Sequence, residues 1–146
     1  MISRLLAVAV VALSFGCSGP LPFMSGGAIS GEDESAPSAW ALEEDYGLVV
    51  LETRPDDPYS INIAYLQLGG RLYIYAGDTE TQWVQNMDAD PNVRLLLGDV
   101  IYGLRADRVL DADEISAFGE IWKDKSIFHR DPADLDELWL YQLSAR

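Results

Sequence analysis

The spacing of apolar residues changes several times between Gly47 and Leu143, and each change marks an element. Gly47-Leu48-Val49-Val50-Leu51-Glu52-Thr53 is an almost unbroken apolar run, which predicts a strand buried on both faces. Arg54-Pro55-Asp56-Asp57-Pro58 has the composition of a turn. Tyr59 to Leu68 alternates, with Ile61, Ile63 and Tyr65 on one face and Asn62, Ala64 and Leu66 on the other. Gly69-Gly70 supplies the positive φ angles of a tight hairpin, and Arg71 to Ala76 returns as a strand with Tyr73 and Tyr75 on one face.

A helical period then appears once inside the run of strands. Trp83, Val84 and Met87 make one apolar face over about one turn, and Asp90-Pro91-Asn92 stops the helix. Val93, Leu95 and Leu97 alternate again. Gly98-Asp99 is a second hairpin signal before a long strand from Val100 to Leu110. Asp111-Ala112-Asp113-Glu114 has the form of a capping box, followed by Ile115, Phe118, Ile121 and Trp122 at helical spacing. Glu137 to Leu143 is a last apolar strand. Six strands, mostly joined by hairpins, with too few helices to cover a parallel sheet, predict a mainly β fold with flanking helices: a small antiparallel-type barrel.

The first 38 residues read differently. Met1 to Gly16 carries Arg4, an apolar run and small residues before Cys17. Leu5 to Gly16 is too short for a spanning helix, which needs roughly 20 residues, and fits a signal-peptide core. Leu13-Ser14-Phe15-Gly16-Cys17 resembles a lipobox with its leucine displaced by one, which implies lipidation at Cys17. The alternatives are an ordinary signal peptide cleaved nearby or a short uncleaved anchor. Residues 17–38, rich in Gly, Ser and Pro, read as a lipidated cysteine and a flexible tether, with the barrel domain at 39–146. A short helix is expected from Ser38 to Asp45, capped by Ser38 and offering Trp40 and Leu42 for packing. The expected location is extracytoplasmic, anchored by lipid to a bacterial membrane.

Charge narrows the partners. Ten Lys+Arg against 24 Asp+Glu give a formal net charge of −14, a field that repels nucleic acid. With one cysteine no intrachain disulfide can form. One histidine and no second cysteine leave no zinc-binding set, and no metal site is expected. His129 reads as a loop residue or as a general acid or base. Asp56-Asp57 and Asp131, Asp134 and Asp136 read as solvated charge, with weak divalent-cation binding as the alternative. Tyr73, Tyr75, Trp83 and Tyr102 are candidates to line a flat aromatic pocket, or else belong to the core and a dimer seam.

The element order and the run Trp83-x-x-Asn86-x-x-x-x-Pro91-x-Val93 resemble the split β-barrel superfamily that binds flavin or deazaflavin coenzymes. That superfamily includes pyridoxamine-phosphate-oxidase-like proteins, and the run is most similar to the deazaflavin-dependent nitroreductase family. The resemblance implies an FMN or deazaflavin coenzyme, a homodimer and redox chemistry on a small molecule that the sequence does not specify. It implies coenzyme contacts from Arg54, Ser60, Thr79, Thr81, Gln82, Trp83, Asn86 and Arg94, with no catalytic residue identified. The loop that holds the coenzyme's phosphate-bearing tail in the nitroreductase family departs here. Arg54-Pro55-Asp56-Asp57-Pro58-Tyr59-Ser60 keeps one arginine and one serine but carries two aspartates, which oppose an anion. The second expectation is therefore a cofactor-free binding or scaffold lipoprotein that keeps the barrel alone.

Overall fold

The computed structural model describes residues 19–125 and 139–146. The leader, Cys17, His129 and the Asp131–Asp136 loop lie outside the described residues.

The elements in chain order are β1 (Glu32–Glu34), β2 (Tyr46–Thr53), β3 (Tyr59–Leu68), β4 (Arg71–Ala76), α1 (Gln82–Ala89), β5 (Asn92–Leu97), β6 (Val100–Arg108), α2 (Ala112–Lys125) and β7 (Trp139–Ala145). The strands run β6-β5-β2-β3-β4-β7, and β7 pairs again with β6, closing a six-stranded antiparallel barrel. Both tight hairpins form as the glycines require. Gly69, Gly70 and Gly98 have φ of 58°, 76° and 60°, a region that side-chain-bearing residues rarely enter.

Alternation sorts the side chains into two clusters. Leu51, Tyr65, Leu72, Ile74, Val93, Leu95, Leu104 and Leu143 point inward and meet Val84 and Met87 of α1. On the outer face, Ala64, Leu66, Tyr73 and Leu140 pack beneath Phe118 and Trp122 of α2. Each such large side chain contributes about 1.5–3 kcal/mol on leaving water. α2 starts as the capping box predicts at one end only: Glu114 N donates to Asp111 Oδ1 at 2.8 Å. The Glu114 carboxylate turns instead to β4, where it accepts from Arg71 at 2.9 Å and from the Tyr73 hydroxyl.

The sheet is open in two places, and the N-terminal segment fills both. β7 covers β6 only from Leu104 onward, and β1 pairs in parallel with the bare Val100–Tyr102 edge. β4 covers β3 only from Tyr65 onward, and Gly26 exchanges two backbone hydrogen bonds with Ser60 on the bare part, at 2.8 and 2.9 Å. Residues 26–34 therefore belong to the barrel, which corrects the expectation of a flexible tether there. Gly31 permits the approach, since a Cβ at that position would stand 2.5 Å from the Asp99 carbonyl oxygen.

Two further expectations are corrected. No helix forms over Ser38–Asp45. Its backbone groups find tertiary partners instead: Trp40 N donates to Gly70 O and Leu42 N to Gln67 Oε1, both at 2.8 Å. Trp40 still reaches the core at 8% exposure. β2 is not buried throughout, because Leu48 is 68% exposed. α2 meets β2 at Tyr46, through Trp122, and leaves Leu48 facing a cleft.

Candidate functional site

α1 is held by a chain of polar groups that runs from the exposed Gln82 to the buried Asn86 and Thr53. Gln82 Nε2 donates to Asn86 Oδ1 at 2.8 Å, and Asn86 Nδ2 donates to Thr53 Oγ1 at 2.9 Å. Thr53 Oγ1 in turn donates to the Tyr59 carbonyl at 3.2 Å. One hydroxyl accepts from the helix and donates to β3, so α1 is fixed against both ends of the 54–58 turn. The helix stops where Asp90 turns extended, at φ −144° and ψ 109°, and Asp90 Oδ1 accepts from Asn92 N at 3.0 Å.

This anchoring sets Trp83, one turn before Asn86, at the wall of a cleft of about 250 Å³. Tyr59, Ile61, Asn62 and the Phe23–Ser25 segment form the rest of the wall. The Trp83 ring lies 6.5 Å from that of Tyr141. Burial is the main force pushing the Tyr141 hydroxyl up to about 12; Asp88 adds to the rise and Arg108 opposes it. Tyr141 therefore stays neutral behind the tryptophan at physiological pH. Arg54 lies over the Tyr59 ring, 5.7 Å from its centroid, in a left-handed conformation with φ 54°. One of its terminal nitrogens is 3.4 Å from Asp57, while its buried Nε has no hydrogen-bond partner among the described residues.

A second cleft of about 490 Å³ shares Phe23 and Asn62 with the first. It is mostly apolar and lined by Leu48, Ile63, Ala64, Tyr75 and Trp122. Its size suits a flat organic ligand. It lies on the α2 side of the barrel, whereas, of the residues implied as coenzyme contacts, Trp83 lines the smaller cleft.

Those residues do not converge. Arg54 and Trp83 stand at or beside the smaller cleft. Gln82 and Thr81 sit at the start of α1, where Thr81 Oγ1 donates to Asp78 O at 3.1 Å. Thr79 lies just before them and is half-buried. Asn86 is 4% exposed and serves the Thr53 network. Ser60 is fully buried and donates to Gly27 O at 2.7 Å. Arg94 is paired with Glu52 at 2.9 Å and Asp33 at 3.6 Å. The expected aromatic pocket of Tyr73, Tyr75, Trp83 and Tyr102 is likewise dispersed. Tyr73 and Tyr75 lie 6.1 and 5.1 Å from Phe118 and Trp122 under α2, and Tyr102 meets Trp40 at 5.1 Å.

Tyr59, Asn62 and Glu52 are not marked as site residues by the sequence. Tyr59 and Asn62 carry no motif; their role comes from the open edge of β3. Glu52 was legible only as an acid ending an apolar run. Its carboxylate is 1% exposed and accepts from Ile29 N at 2.8 Å as well as from Arg94.

A flavin-type coenzyme asks for a flat aromatic wall and for donors to its phosphate. The smaller cleft fits the first demand through Trp83 and Tyr59. The unpartnered Nε of Arg54 fits the second in part. Ser60 and Arg94 do not fit it, because each already has its partner within the chain.

The same architecture recurs in solved structures. An F420-H2 dependent reductase superposes with a TM-score of 0.55 at 13% identity, over 80% of this chain and 100% of the other. A FAD-binding protein from Mesorhizobium loti gives 0.52 at 16% identity, over 68% and 78% of the two chains. A Listeria innocua protein assigned provisionally as a pyridoxamine 5'-phosphate oxidase gives 0.54 at 18% identity, over 68% and 83%. No family model matches the sequence, and no curated protein matches it. The fold is thus the split barrel of pyridoxamine-phosphate-oxidase-like proteins and F420-dependent reductases.

Proposed function

We propose that this chain is an extracytoplasmic lipoprotein whose split barrel binds a flavin- or deazaflavin-type coenzyme and supports oxidoreductase chemistry. The observation that carries the reading is the cleft walled by Trp83 and Tyr59, in a barrel whose structural counterparts include a FAD-binding protein and an F420-H2 dependent reductase. Trp83 and Tyr59 would flank the ring, and the Arg54 guanidinium, lying over Tyr59, would meet an anionic or carbonyl group. The bound coenzyme would supply the hydride chemistry, and the protein would position it and exclude water. Lipidation at Cys17 would hold the barrel at a membrane.

A homodimer is part of this reading. The exposed Leu48, beside Ile63 on the wall of the larger cleft, gives a second copy an apolar seat. Sedimentation over a range of concentrations tests it, and a monomer throughout would contradict it.

One observation favours a second reading, a cofactor-free binding protein. The N-terminal segment occupies two of the implied phosphate contacts: Gly27 takes the Ser60 hydroxyl and Asp33 approaches Arg94. The absorbance spectrum of the purified protein, with and without added FMN or deazaflavin, separates the two. A bound chromophore or a saturable spectral change supports the first reading. A colourless, unresponsive protein supports the second.

A further inference from the structure

The turn before the Gly26–Ser60 bridge presents apolar side chains to solvent. Leu21, Phe23 and Met24 are 55%, 102% and 63% exposed. The turn is built, since Met24 N donates to Leu21 O at 3.0 Å and Asn62 Nδ2 donates to the same carbonyl at 3.2 Å. Phe23 holds φ at 65°, a conformation unfavourable for a bulky residue, while its ring stands open to solvent at the rim of both clefts. Strain and exposure on one aromatic residue point to a contact outside the chain.

From this geometry we infer that Leu21, Phe23 and Met24 form a tip that inserts into the outer layer of a lipid bilayer. Two observations choose lipid over a second copy. First, no charged residue occurs from Gly19 to Gly31, although the chain carries −14. The tip is thus the part of a strongly acidic protein that enters an interface without desolvating a charge. Second, Leu21 lies four positions after Cys17, a reach of at most about 14 Å at 3.3–3.6 Å per residue. A lipid on Cys17, as the proposed function has it, would bring the tip to a boundary into which apolar side chains sink about 5–10 Å. The lipid chain and the tip would together fix the barrel's orientation, which a chain on a free tether could not do.

The test labels Phe23→Cys in the full-length protein with an environment-sensitive fluorophore, in phosphatidylcholine vesicles with and without brominated acyl chains. Leu110→Cys, at another exposed position (81%), is the control. A lipidated Cys17 has no free thiol, so the new cysteine is the sole label. The inference predicts a blue-shifted probe at position 23 that loses most of its emission to brominated lipid, and an unshifted, unquenched probe at 110. Equal water exposure at both positions overturns it. A blue shift without bromine quenching also overturns it, in favour of a second copy of the chain. The mass of the N-terminal peptide reports the anchor separately. If Cys17 is unmodified, the probe is read in a Cys17→Ser background: quenching there keeps the tip contact and removes the anchor, and no quenching removes both.

Discussion

Arg94 is spent on Glu52. Its Nη1 lies 2.9 Å from Glu52 Oε1, and the glutamate is 1% exposed at the end of β2. A basic residue that the sequence offered as a phosphate contact thus neutralises a carboxylate buried by the barrel itself. Arg94→Ala would leave that charge without its cation. Breaking a buried pair costs about 3–5 kcal/mol, and partial exposure of Arg94 puts the expected loss near the lower end. Urea denaturation measures it. A loss below about 1 kcal/mol, the range of a surface pair, would contradict the assignment.

Asn86→Ala removes the group that ties α1 to Thr53 and leaves a buried threonine hydroxyl short of a donor. The expected destabilisation is about 1–3 kcal/mol. Coenzyme affinity should fall with it, because Trp83 is positioned by the same helix. Unchanged thermal stability would show that the polar chain from Gln82 to Tyr59 is dispensable.

Tyr141 makes stability fall at alkaline pH. Its hydroxyl is pushed up to about 12 in the folded protein, against an ordinary value near 10. Where the unfolded chain has lost the proton and the folded chain keeps it, folding weakens with rising pH. The contribution is therefore complete below about pH 10 and is lost as pH climbs to about 12. Tyr65 and Tyr73 are shifted in the same direction, chiefly by burial, and add to the effect. Tyr141→Phe should leave stability at pH 7 nearly unchanged and flatten the fall above pH 10. An unaltered alkaline profile would sink this explanation.

Gly31→Ala should loosen the N-terminal segment. The added Cβ would stand 2.5 Å from the Asp99 carbonyl that also accepts from Glu32 N, so β1 must move off β6. Amide exchange at Gly26, Ile29 and Glu32 is expected to accelerate while the barrel amides keep their protection. Uniform acceleration across the barrel would mean that the segment and the barrel unfold as one unit.

The barrel was legible in the sequence because its signals are local. Strand alternation, Gly69-Gly70 and the Pro91 stop each act within a few residues. The N-terminal additions were not. β1 is Glu32-Asp33-Glu34, wholly exposed and without an apolar period, and it is held by backbone pairing to a strand about 70 residues away in sequence. The Ser38–Asp45 helix was a fair reading of local propensity, overridden when Gly70 and Gln67 offered its amides tertiary partners. The site fared similarly. Trp83 could be read from its motif, but the commitment of Ser60 to Gly27 and of Arg94 to Glu52 depends on pairs 33 and 42 residues apart. A list of donors in sequence cannot show which of them are already satisfied.

The most direct test of the account is a fluorescence titration of FMN, and in parallel of a deazaflavin coenzyme, with the purified protein and its Trp83→Ala variant. Saturable quenching at one site per chain is expected, weakened about tenfold or more by Trp83→Ala at unchanged fold. No quenching by either protein, or equal quenching by both, would contradict a coenzyme cleft at Trp83.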